Sequence, residues 1–118
     1  MTNSDHKCSE QAESCVCFTE PYPFLVEDKY LGMEGNFAEV SLQRCSICSQ
    51  LWLRYFYEVE AFTASGRWYL GAISADQASQ LTVENAKVTL ENLSWYLYGG
   101  SYYDGRSGKT SGKIFLNP

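Results

Sequence analysis

Two close cysteine pairs, Cys15-Val16-Cys17 and Cys45-Ser46-Ile47-Cys48, constrain this chain more than any other feature. Thiols one or two residues apart converge on a single ion from one tight turn. Two such turns, separated by 27 residues, complete a tetrahedral set of four soft ligands. Four protein thiolates leave no open position for water, so the expected role is structural: Zn2+ held by Cys15, Cys17, Cys45 and Cys48. The chain has five cysteines, so a disulfide framework would strand one thiol, whereas the metal site leaves only Cys8 over. His6 is close enough in sequence to replace a ligand, although the polar tail around it suits a solvated side chain better.

The segment ahead of Cys17 is polar, without the apolar run of a signal peptide, and no stretch of the chain approaches the apolar length of a membrane span. The expectation is a soluble cytoplasmic protein with reduced thiols and no membrane association. At 118 residues the chain has room for one domain with a modest core, and 45% hydrophobic and 15% aromatic content is too apolar for disorder. The net charge of −5, with nine dispersed Lys and Arg residues, lacks the basic face that phosphate backbones require. Nucleic acid is therefore not the expected partner. A basic protein would suit this balance better.

Residues 1–14 have little to bury and read as a flexible tail. Glu20-Pro21-Tyr22-Pro23-Phe24 reads as irregular and extended, because each proline fixes its own φ and restricts its predecessor. Ala38, Val40 and Leu42 alternate with Glu39, Ser41 and Gln43, the period of a half-buried strand. A stronger strand runs from Leu51 to Phe62, with Leu51, Leu53, Tyr55, Tyr57, Val59 and Ala61 on one face and Arg54, Glu58 and Glu60 on the other. Ser65-Gly66 marks a turn into a third strand, Arg67 to Ile73, with Trp68, Leu70 and Ala72 together. Val83, Ala86, Leu90, Leu93 and Leu97 then follow helical spacing, with a capping box at Ser74-Ala75-Asp76-Gln77 and a second cap at Thr82. Gly99-Gly100 would stop that helix, and Lys87 with Glu91 would pair on its wet side.

The fold class is thus α+β: an antiparallel β-meander with a zinc-knuckle-type turn, packed against one C-terminal helical region. The chain divides into a tail at 1–14, a Cys-rich meander at 15–73, a helical region at 74–98, and a Gly/Tyr-rich segment at 99–118 that closes with a short strand at Ile114-Phe115-Leu116. A Cys-x-x-Cys turn between antiparallel strands resembles the knuckle of a zinc ribbon. The likeness covers the two cysteine pairs and their flanking strands, roughly the first half of the chain. The first pair is tighter than the usual knuckle, and Ser49 follows Cys48 where such turns usually carry glycine.

Reactive constellations are sparse. A thioredoxin-like redox pair belongs between a strand and a helix start, whereas Cys45 and Cys48 lead into a strand. Ser107-Gly108-Lys109-Thr110 lacks the earlier glycine of a phosphate loop, since position 103 is Tyr103. The single histidine, His6, leaves no base for a serine or cysteine relay outside the tail. Asp104, Glu58 and Glu60 are available as carboxylates, the last two better explained as the wet face of a strand. Catalysis is not expected.

Aromatic and basic residues do cluster. Trp95, Tyr98, Tyr102, Tyr103, Asp104 and Arg106, with Arg67 and Trp68 from the third strand, form the candidate partner-binding set, because Tyr, Trp and Arg bury much area and still make polar contacts. Size, acidity and this cluster make the chain similar in general character to small bacterial immunity proteins, which neutralise a toxin domain, often a basic nuclease, by binding it. The expected function is a zinc-stabilised protein-binding module of this kind. The alternatives are a zinc-ribbon module of nucleic-acid or transcription machinery and an uncharacterised enzyme.

Overall fold

The computed structural model describes Tyr22 and residues 24–116. Six strands pair in chain order in one antiparallel sheet: β1 (Leu25–Glu34), β2 (Ala38–Cys45), β3 (Leu51–Tyr57), β4 (Arg67–Ile73), β5 (Tyr96–Gly99) and β6 (Ser107–Thr110). The expected meander of β2, β3 and β4 is present, and the Cys45/Cys48 turn links β2 to β3. Two short helices, α1 (Ala75–Ser79) and α2 (Ala86–Glu91), lie between β4 and β5. The architecture is mixed α+β. None of the described helices is long and apolar enough to cross a membrane.

Strand alternation gives the sheet two unlike faces. Val40 and Leu42 of β2 pair with Tyr55 and Leu53 of β3, and Tyr55 pairs with Tyr69 of β4. These side chains build the main core with Leu81, Ala86 and Leu90 from the helical segment. Gly71 permits the close approach, since a Cβ there would lie 2.4 Å from Leu93 Cδ1 and 2.6 Å from Leu90 Cδ2. The opposite face carries a smaller cluster of Cys45, Trp52, Leu70 and Leu97, flanked by Tyr22, Phe24, Leu25 and Trp68.

The helical region is shorter than its spacing predicts. The capping box forms as expected: Gln77 N–H donates to Ser74 Oγ (3.1 Å) and Ser74 N–H to Gln77 Oε1 (2.8 Å). Thr82 and Asn85 exchange a similar pair ahead of α2. The helix ends at Glu91, however, and Tyr96–Gly99 is a strand. The run Trp95 to Tyr98 is rich in the aromatic residues strands favour, and pairing of Tyr98 with Tyr69 and Leu97 with Leu70 overrides helical spacing. Likewise β3 ends at Tyr57, short of Phe62, and 114–116 is not a strand. Ile114 is nevertheless buried in the main core. Its N–H donates to Glu91 Oε2 (2.9 Å), which also accepts from Lys87 Nζ (2.8 Å). Lys87 and Glu91 therefore clamp the C-terminal segment, with side-chain exposures of 28% and 10%, instead of standing on a wet side.

Candidate functional site

On the face away from the helices the sheet carries a cleft of about 740 Å³. Its floor is Arg54 of β3 with Trp68 and Leu70 of β4; one wall is Tyr22 and Leu25, and the other is the arm at 100–107 between β5 and β6. Tyr22 meets Trp68 edge-on at 5.6 Å between ring centroids. Burial pulls the Arg54 guanidinium below its ordinary pKa, and Glu39 and Glu27 oppose that pull. Its Cζ lies 5.1 Å from the centre of the Phe56 ring.

The arm is a built structure, more ordered than its glycines imply. Gly100 has φ +119, and a Cβ there would lie 2.6 Å from Gly66 O and 2.7 Å from Arg67 Cα, so only glycine lets the arm cross β4. Tyr102 N–H then donates to Gly66 O (2.8 Å), and Gly105 N–H closes the turn on Gly100 O (3.0 Å). Asp104 sits in the left-handed region at φ +60, as the cap of the 3-10 turn Ser101–Tyr103. The result projects Asp104 and Arg106 over the cleft.

The eight residues expected to bind a partner do not form one patch. Trp68, Asp104 and Arg106 come together on the cleft. Trp95 is on the same face further along, edge-on to Trp52 (6.5 Å) with Lys109 Nζ 5.1 Å from its ring centre. Tyr98, Tyr102 and Tyr103 lie around a smaller depression with Tyr69, Tyr96 and Phe115. Tyr103 stacks at 4.6 Å on Tyr98, and its hydroxyl lies 2.8 Å from that of Tyr69, so much of this cluster is internal packing. Burial is the largest cause raising the Tyr69 pKa, so its phenol stays protonated. Arg67 is 0% exposed, its Cζ 3.8 Å from the Tyr102 ring centre and 4.7 Å from that of Tyr57. That sandwich fastens the arm, and it takes Arg67 out of any surface that touches a partner.

Arg54 and Gln43 are cleft residues that strand reasoning assigned to solvent. The signal was present: Trp52 and Phe56 flank Arg54 on its own face, and two large aromatics there indicate a second half-buried surface.

The cysteine turn lies near one end of the same face. Cys45 is buried at the end of β2 and Cys48 is half-buried, both as thiols. Ser49 N–H donates to Cys45 O (2.9 Å), and Ser49 has φ +68. That is the conformation glycine takes most readily. Two thiols in a tight turn supply half a tetrahedral donor set. Cys15 and Cys17, with Cys8 and His6, lie outside the described residues, and among the described residues no three His, Cys, Asp or Glu side chains gather for a metal. The chain enters β1 beside this turn, with Leu25 paired to Cys45 and Ser46 N–H donating to Phe24 O (2.7 Å). Seven residues separate Cys17 from Leu25 in the sequence.

Comparison with family models, curated proteins and solved structures gives no match to this chain.

Proposed function

We propose that this chain is a small zinc-fastened cytoplasmic module that works by binding another protein, as an immunity-type inhibitor does, and not by catalysing a reaction. The observation that carries the reading is the cleft on the helix-free face. It combines aromatic area at Trp68 and Tyr22 with directional charge at Arg54, Asp104 and Arg106. Aromatic anchors ringed by polar groups are the composition of binding hot spots. The arm that forms one wall is held by its own hydrogen bonds, which lowers the ordering cost of capture.

Zinc enters this proposal through Cys45 and Cys48, completed by Cys15 and Cys17. The left-handed Ser49 supports a knuckle-type backbone despite the missing glycine. The ion would pin the start of β1 to the β2–β3 turn and so steady the wall that carries Tyr22.

The test pairs two measurements. Protein purified without a histidine tag should carry about one zinc per chain, and immobilised protein should retain a protein partner from a lysate of its own cells. Asp104→Lys with Arg106→Glu should abolish capture while zinc content and thermal stability hold. Capture that survives in the folded double variant would place the binding face elsewhere. Metal-free, fully folded protein with reduced thiols would remove the zinc.

A further inference from the structure

We infer that the open face holds a second docking surface, an acidic aromatic groove that takes a basic segment of the protein partner with apolar side chains beside its Lys or Arg residues. The inference rests on the reading of the chain as a protein-binding module and adds the chemistry of what is bound, on a surface distinct from the cleft. The groove, about 490 Å³, lies where the β1–β2 turn meets the β3–β4 loop. Met33, Phe37 and Phe62 line it with exposures of 44%, 43% and 54%. Side chains this apolar are seldom gathered on an idle surface.

The carboxylates in the groove are Glu39, Glu58 and Glu60, and no Lys or Arg lines it. Neither described ion pair involves any of the three. Arg54, over the Phe56 ring, feels the charge of Glu39, and Glu58 and Glu60 are exposed to solvent. Both walls are held in place. Glu58 N–H donates to Phe37 O (3.0 Å), and Ser65 Oγ bridges the Val59 N–H (2.9 Å) and carbonyl (2.7 Å) across the loop. Carboxylates and aromatic rings lining one groove suit a guanidinium or ammonium, which the rings attract through their faces and the carboxylates through charge.

The charge also selects the occupant. Residues 1–21 of this chain hold four carboxylates and one lysine, and a second copy carries the same net −5, so both are repelled. A basic segment of a different protein remains.

The test uses the full chain and a labelled synthetic peptide of about a dozen residues alternating Arg with Leu or Phe, read by fluorescence polarisation. Two control peptides replace Arg by Glu, or Leu and Phe by Ser. The basic apolar peptide should bind at least about tenfold more tightly than either control. Glu58→Lys with Glu60→Lys should weaken it about tenfold or more. Asp76→Lys with Glu84→Lys, the same charge change on the exposed helical side, should leave it within about twofold. Phe62→Ser should weaken it about fivefold. Equal binding of the Ser-substituted peptide, no detectable binding, or equal loss in the two charge-reversed variants would overturn the inference. Loss in Asp104→Lys/Arg106→Glu alone would also overturn it, while leaving the cleft as the binding surface.

Discussion

The two faces of the sheet are cut from the same strands, yet they are built to different ends. On the helix side, alternate residues of β2, β3 and β4 meet Leu81, Ala86 and Leu90 in a closed core. On the open side Trp52, Leu70 and Leu97 are buried in a smaller cluster, while Arg54, Phe56 and Trp68 are only partly covered. The larger buried cluster lies on the first face, and half-exposed aromatic and charged side chains lie on the second. Substitutions should divide along that line.

The largest effect is expected at Leu90, fully buried between α2 and the sheet. Leu90→Ala should cost about 2–5 kcal/mol in chemical denaturation, the range for truncating a packed leucine. A cost below about 0.5 kcal/mol, typical of surface sites, would erase the distinction between the faces.

Glu91 comes next, because it holds Ile114 N–H and Lys87 together. Burial works against its charge, but those two donors outweigh burial and keep its carboxyl below the ordinary 4.5. A lowered folded-state value means the contribution is complete above the ordinary value and is lost as pH falls through the lowered one. Glu91→Ala should therefore cost about 1.5–3 kcal/mol at neutral pH, as for a hydrogen bond to a charged group, and less in acid. A cost independent of pH would mean the carboxylate charge is irrelevant there.

Gly100 belongs to neither face, since it carries the arm across β4. Gly100→Ala should cost about 1–3 kcal/mol through backbone strain and weaken partner capture as well, because the wall of the cleft shifts. At the small end, Arg106→Glu should alter stability by no more than about 0.5 kcal/mol.

The sequence made one of these faces far more legible than the other. Alternation from Ala38 to Arg44 and from Leu51 to Tyr57 marked the strands that pack against the helices, and the Ser74–Gln77 capping box marked α1. β1 escaped notice because it is an edge strand, mostly exposed, with register shifts between Glu27 and Lys29 and between Tyr30 and Gly32 that break any period. β5 was hidden because Leu93 and Leu97 are four apart while Trp95 to Tyr98 is an unbroken apolar run with no period of its own, and only the pairing with β4 decides between helix and strand. The binding set was half legible. Composition picked Trp68, Asp104 and Arg106, but it had no means of separating them from Tyr98 and Tyr103, which the sheet places in a different packing environment. Arg67 looked like a surface anchor because nothing local announces that Tyr57 and Tyr102 enclose it from distant parts of the chain.

The most direct measurement is hydroxyl-radical footprinting of the captured complex against the free protein. Tyr22 and Trp68 on the open face should become protected, while exposed Val88 on α2 reacts at the same rate in both. Protection of Val88 with Tyr22 and Trp68 unchanged would show that the partner sits on the helical side, contradicting the division between the faces.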